Sequence, residues 1–193
     1  MAKKSTTGKP LSELRIVGGK HRSRKLRVVD VEGLRPTGDR MREVVFNWLM
    51  PWINGARVLD LFAGSGALGI EAVSRGAQTA VFVEKDAAAF AVLKENAQIL
   101  DGTEYQLERL GAADYLTQQS VSAIDIVFVD PPFAQSLWGE VLSMLSKELP
   151  EHAIVYLEAP SKHAFDSLHG FEWIKHKRQG QVQFGLLQKL SHQ

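Results

Sequence analysis

The apolar positions fall into two regimes that change near residue 56. Before it, LRIVGGKHRSRKLRVV (14–29) reads as two short strands about a basic turn, with Gly18 and Gly19 permitting the reversal. Met41, Val44, Val45, Trp48 and Leu49 then recur at helical spacing on one face. Pro36 excludes helix at Arg35, Thr37 or Asp39 is placed to cap the helix, and Pro51 is expected to stop it. From residue 56 onward, short apolar runs alternate with helical patterns. ARVLDLF (56–62) reads as a strand, followed by a glycine-rich turn and a helix to about Arg75. TAVFVEKD (79–86) is the next strand, and AAAFAVLKENAQIL (87–100) its helix. YQLERL (105–110) is a weaker strand, and AIDIVFVD (123–130) is nearly all apolar, as a strand buried on both faces should be. SLWGEVLSMLSKEL (136–149) reads as a helix and AIVYLEAP (153–160) as a strand, with a short helix expected near 161–168. FEWIKHKR (171–178) and QVQFGLLQKL (181–190) read as a closing hairpin turning at Gly180.

This alternation predicts an α/β fold: an open, mostly parallel sheet with helices on both faces and one strand reversed by the closing hairpin. Ligands of such sheets sit beyond the carboxyl ends of the strands. The predicted organisation is a flexible basic tail over 1–13, an extension of hairpin and helix over 14–52, and the main domain over 53–193.

Composition narrows the function classes. The chain has 193 residues, 45% of them hydrophobic, enough for a folded core. No apolar run approaches the roughly 20 residues of a membrane span, and no apolar segment follows MAKKSTTGKP to make a secretory signal. Cysteine is absent, which excludes a disulfide scaffold, a thiolate zinc site, an iron–sulfur cluster and a cysteine nucleophile. The six histidines show no metal-ligand spacing, so no metal is expected; a cytoplasmic location fits best. The net charge of +1 hides an asymmetry: residues 1–42 hold 12 Lys+Arg against 4 Asp+Glu, and the remainder holds 11 against 18. A basic arm on an acidic body points to a polyanionic partner held mainly by the arm. Lys20, Arg22, Arg24, Lys25 and Arg27 are the candidates for phosphate contact. Arg35, Arg40 and Arg42 stand nearer the body, where contact with that partner, bracketing of a bound ligand and pairing with acids are all open.

The residues that carry chemistry stand at strand ends. Gly64, Gly66 and Gly69 fit G-x-G-x-x-G between a strand and a helix, a turn that lets a ligand approach the backbone. Taken alone the pattern suits any tight strand–helix turn, or a nicotinamide site. Glu84 ends the next strand, where a carboxylate can accept from both hydroxyls of an adenosine ribose. Asp60 suits a polar contact, through water or to a cation. Asp114 suits an adenine amine or a helix cap. Asp130-Pro131-Pro132-Phe133 follows the buried strand directly. Its prolines fix the backbone and free carbonyls. The carboxylate and a proline carbonyl can accept the two hydrogens of an exocyclic amine, and Phe133 can stack on the ring that bears it.

Together, Val58 to Gly69, Glu84, Asp114 and Asp130–Phe133 resemble the successive motifs of class I S-adenosylmethionine-dependent methyltransferases that methylate amines. Arg15–Gly19, Arg24-Lys25-Leu26, Arg35–Glu43 and Phe46–Leu49 more narrowly resemble the bacterial 16S ribosomal RNA guanine-N2 methyltransferases acting at guanine 966. The resemblance implies a Rossmann-like seven-stranded sheet with a small N-terminal hairpin. It implies cofactor contacts from Asp60, Phe62, Ala63, Gly64, Ser65, Gly66, Glu84, Lys85, Asp114 and Asp130, and a catalytic turn of Asp130, Pro131, Pro132 and Phe133. The implied partner is 16S ribosomal RNA in the small subunit or its assembly intermediate. Three alternatives are open: adenine-N6 methylation of DNA or RNA, an NAD-linked oxidoreductase, and a non-catalytic RNA-binding assembly factor. The first needs a target-recognition domain to act on DNA, for which this chain has little room. The proline turn disfavours the second. The intact Asp60, Glu84 and Asp130 disfavour the third.

Overall fold

A computed structural model describes residues 12–28, 38–165 and 167–190. Arg35, Pro36, Thr37 and most of the expected tail lie outside the described residues. The extension opens with a two-stranded antiparallel hairpin, β1 (Ser12–Arg15) and β2 (Lys25–Val28), so Ser12 and Glu13, expected in the tail, belong to a strand. Helix α1 (Asp39–Ile53) buries Met41, Val45 and Leu49 as the periodicity predicts. Two readings of this helix need correction. Asp39 is its first residue and not a cap, since Gly38 occupies the cap position without a side-chain bond. Pro51 lies inside the helix, which ends at Ile53. A proline this close to the terminus removes one bond to Asn47, which is solvent-exposed.

The main sheet has seven strands: β3 (Arg57–Asp60), β4 (Thr79–Val83), β5 (Glu104–Glu108), β6 (Ile126–Val129), β7 (Ile154–Pro160), β8 (Phe171–Gln179) and β9 (Val182–Lys189). Their order is β5-β4-β3-β6-β7-β9-β8. All pairs up to β7 are parallel, and β9 runs against both β7 and β8. The predicted reversed strand is therefore β9. The remaining helices are α2 (Ala67–Ser74), α3 (Ala87–Ala97), α4 (Ala112–Gln118) and α5 (Trp138–Glu148).

Strand β6 shows how the sheet divides two cores. Ile126 and Phe128 join the cluster with α1, α2 and the N-terminal hairpin, whereas Val127 and Val129 join the cluster with α4 and α5. All four are fully buried, which accounts for the unbroken apolar run. The short helix expected near 161–168 is not found among the described residues there. A turn replaces it, with His163 N donating to Pro160 O and Gln183 Nε2 donating to the carbonyls of Pro160 and His163.

The chain order reverses between β3 and β6, because the path leaves β3 for β4 and β5 and returns on the other side. A crevice is expected at that switch point. Asp60 ends β3 level with Phe128, and Asp130 follows two residues further along, so both acids stand at that edge of the sheet.

Candidate active site

A cavity of about 360 Å³ opens at the carboxyl ends of β3, β4 and β6, within the size range of small-molecule sites. Of the residues expected from sequence, Phe62, Glu84, Lys85, Asp114, Asp130 and Pro132 line it. Leu61, Val83, Leu110, Ala112 and Ala113 add an apolar wall suited to a flat ring. Asp60, Ala63, Gly64, Ser65, Gly66, Pro131 and Phe133 are not among the lining residues.

The glycine turn is shaped by backbone conformation. Gly64 and Gly66 have φ of +53° and +85°, which side-chain-bearing residues rarely adopt. A Cβ on Gly64 meets nothing within 4 Å, so the space above the loop is open. At Gly69 a Cβ meets the Phe82 ring, so this glycine serves close packing of α2 on the sheet. Glu84 holds the loop in place: its two oxygens accept from Gly64 N (2.8 Å) and Asp86 N (2.7 Å). A carboxylate has about four acceptor positions, so the two backbone donors leave capacity for ribose hydroxyls.

Asp60 lies beneath this loop, 2% exposed, and its Oδ2 accepts from Gly69 N at 3.0 Å. Burial pushes its carboxyl up to about 7, against the pull of the backbone donors of Gly69 and Phe62. Asp114 stands in the first turn of α4, a helix without a clear sequence pattern, where a negative charge suits the helix dipole. Gly111 is the cap of that helix, so the capping role considered for Asp114 does not apply. Lys85 Nζ donates to Gln135 Oε1 at 2.7 Å and ties the end of β4 to the segment after Asp130.

Phe133 begins a 3-10 turn (Phe133–Gln135), half-buried, with its ring centroid 6.1 Å from that of Trp138. Behind Asp130 lies a buried polar pair that the sequence does not announce. Tyr156 Oη donates to Glu158 Oε2 at 2.7 Å, and Trp138 Nε1 donates to the Glu158 carbonyl at 2.7 Å. Burial raises the Tyr156 hydroxyl pKa well above its ordinary value, and the charges of Glu158 and Asp130 push it further. Tyr156 therefore remains a neutral donor beside the proline turn.

Among the contacts that fasten the basic hairpin to the body are those of a buried acid, Glu71 of α2. This carboxylate is fully buried and accepts from Val17 N (2.7 Å), Gly18 N (2.7 Å) and Arg75 Nε (2.8 Å). Arg42 Nη1 lies 3.6 Å from it. Arg42 is itself fully buried and donates to Arg15 O and to Asp39 Oδ1. Of the roles open for Arg42, pairing with acids is the one found, and RNA contact does not fit a guanidinium buried between hairpin, helix and body. Arg40 is exposed, as are Lys20, Arg22 and Arg24. Lys25 and Arg27 are exposed but engaged, 2.7 Å from Glu13 and 2.6 Å from Glu95. Asn96 bridges the arm to the glycine turn. It accepts from Arg27 N and donates to the carbonyls of Arg27 and Ser65.

Comparison with known proteins decides the family. The family model described as Conserved hypothetical protein 95 matches residues 14–188. The chain belongs to that family. A relative, ribosomal RNA small subunit methyltransferase D of Haemophilus influenzae, is 40% identical over 96% of this chain and 99% of its own. The protein of the same name from Escherichia coli K12 is 40% identical over 92% and 90%. Among solved structures, putative methyltransferase yhhF from Escherichia coli superposes with a TM-score of 0.82 at 37% identity, covering 92% of this chain and 98% of its own. A putative methyltransferase complexed with SAH superposes at 0.69 with 14% identity, over 97% of this chain and 58% of its own, and shows the shared fold. Membership in the Conserved hypothetical protein 95 family places the chain among class I S-adenosylmethionine-dependent methyltransferases.

Proposed function

We propose that the protein transfers the methyl group of S-adenosylmethionine to the exocyclic N2 amine of one guanine, guanine 966, in 16S ribosomal RNA. The observation that carries this reading is the cavity between Glu84 and Asp130, with the proline turn at its mouth. Its support on the RNA side is the name borne by the relatives and the exposed cations of the arm. No helix among the described residues is long and apolar enough to cross a membrane.

The residues present fit the cofactor. The open space over Gly64 admits a ligand against the backbone, and the spare acceptor positions of Glu84 suit a ribose diol. The apolar wall of Leu110, Ala112 and Ala113 suits adenine, with Asp114 at its edge as acceptor for the adenine amine. Bound S-adenosylmethionine supplies a methyl group already activated by its sulfonium. The chain must therefore position the nucleophile in line and exclude water. Guanine N2 is a poor nucleophile because its lone pair is delocalised into the ring. Asp130 and the Pro131 carbonyl accept its two hydrogens, which favours a pyramidal nitrogen and directs the lone pair at the cavity. Asp130 then stabilises the positive charge that develops on N2, and N2 afterwards releases one proton to solvent water. Phe133 stacks on the extruded base, and the cations of the arm hold the flanking phosphates.

The test is transfer of labelled methyl to small subunits from a strain lacking the gene, followed by nucleoside analysis and mapping. Label in N2-methylguanosine at one position is expected. Label in N6-methyladenosine, or transfer to DNA, assigns the other amine chemistry. Absence of transfer refutes the reading.

A further inference from the structure

Outside the cavity, ring contacts run in one continuous chain away from the catalytic turn. From Phe133 they pass to Trp138 (6.1 Å between centroids), to His163 (4.5 Å), to Phe165 (4.6 Å), to Trp173 (6.0 Å) and to His176 (4.5 Å). Trp173 and His176 are stacked, with 23° between their planes. Trp138 is buried, but His163, Phe165 and Trp173 are half-buried and His176 is exposed.

The sheet explains why these rings share a surface. His176 pairs with Gly185, Gly185 with Leu157, and Leu157 with Val129, so His176 stands level with the last residue before Asp130. Arg178 pairs with Gln183, one side-chain step further toward the carboxyl edge on the same face. A bulge between Trp173 and Lys175 turns the indole and the imidazole to the same side. Gly185 is what lets the indole lie flat across the sheet: a Cβ there comes within 2.7 Å of the Trp173 ring. Gln183, 3% exposed, fixes the arrangement by bonding the His176 ring and the His163 carbonyl. Lys162 and Arg178 are exposed beside it. Three strand spacings, about 14 Å, separate β6 from β8.

We propose that this face, from His163 and Phe165 to Trp173, His176 and Arg178, is a stacking platform for single-stranded RNA flanking the target guanine. Exposed and half-exposed rings accept bases without sequence preference, and neighbouring cations take the phosphates between them. The basic arm then grips one side of the target, and the carboxyl-terminal hairpin holds the unpaired nucleotides on the other. This rests on the reading of the chain as an RNA methyltransferase.

The test uses the triple variant Lys162→Ala, His176→Ala, Arg178→Ala, all at exposed positions, and the single variant His176→Phe, which keeps a ring. Binding of a labelled single-stranded RNA oligonucleotide is measured by anisotropy, with methyl transfer to undermethylated small subunits and thermal melting in parallel. For the triple variant, RNA affinity is expected to fall and KM for subunits to rise, each on the order of tenfold, with kcat and cofactor affinity unchanged. His176→Phe is expected to retain wild-type affinity. A triple variant that melts like wild type and matches it in RNA affinity and KM overturns the platform. A wild-type enzyme that binds the oligonucleotide and transfers no methyl to ribosomal RNA overturns the reading of function; the binding comparison then still decides the platform.

Discussion

Replacing Glu71 by glutamine should cost more stability than any surface charge change in the molecule. The side chain is fully buried and receives three hydrogen bonds at 2.7–2.8 Å, two from the backbone of the arm and one from Arg75. Glutamine keeps the shape but offers one acceptor oxygen in place of two, and its amide nitrogen faces a donor. It also removes the charge beside Arg42, which is fully buried, and whose Nε and Nη1 have no hydrogen-bond partner among the described residues. Stripping a buried cation of its counter-charge costs about 3–5 kcal/mol. Asp39, whose side chain is 62% exposed, remains within reach of Arg42 and brings the expectation to the lower end, about 3 kcal/mol. For a chain of this size each kcal/mol lowers Tm by about 2–4 °C, so a drop of roughly 6–12 °C is expected. Calorimetry measures it, and hydrogen exchange over 12–28 reports whether the arm opens before the body. A Glu71→Gln protein that melts within about 2 °C of wild type, with unchanged exchange over the arm, rules out Glu71 as its fastening.

Glu84→Ala should weaken S-adenosylmethionine binding by about 2–4 kcal/mol, roughly 30- to 1000-fold in Kd, because two charge-assisted bonds disappear. Calorimetric titration showing wild-type affinity in the folded variant contradicts the ribose role. Asp60, held at about 7 when folded and near 3.8 otherwise, favours the native state most below pH 3.8. Its contribution falls as pH rises toward 7, by about 4 kcal/mol in all. Asp60→Asn should therefore gain on wild type between about pH 4.5 and 7.5 in urea unfolding; parallel pH profiles contradict the buried acid. Arg22→Ala with Arg24→Ala should make the salt dependence of RNA binding shallower by about 0.7–0.9 for each phosphate no longer held, so by about 1.4–1.8 if both arginines touch phosphate. An unchanged slope shows that these cations do not hold the RNA backbone.

The strand–helix alternation was legible because buried parallel strands cannot hide: Ile126–Val129 is apolar at every position. The strand-end residues Glu84 and Asp130 were legible for the same reason, since polar groups closing such runs stand at the sheet edge. Counting charge along the chain left Arg42 open between RNA, cofactor and acidic partners. Its spacing to Val45, Phe46 and Leu49 puts it on the buried face of α1, and that signal favours an internal ion pair. Glu71 carried a signal too, a lone acid in the otherwise apolar LGIEAV, with no exposed face to escape to. Helix α4 was missed because AADYLTQ is short and mostly outside the buried core, so its apolar spacing is weak. The Tyr156–Glu158 pair was not legible, because an acid near the end of β7 reads as solvent-facing until the loop after it is placed.

The proposed chemistry stands or falls on Asp130 meeting the amine that receives the methyl group. The decisive comparison is single-turnover transfer from labelled S-adenosylmethionine to undermethylated small subunits, by wild type and by Asp130→Ala, at saturating cofactor and substrate. Transfer should fall by about 100-fold or more, the scale of removing one positioned transition-state acceptor, with cofactor affinity largely intact. Near-normal transfer by a folded Asp130→Ala protein contradicts the role given to this carboxylate.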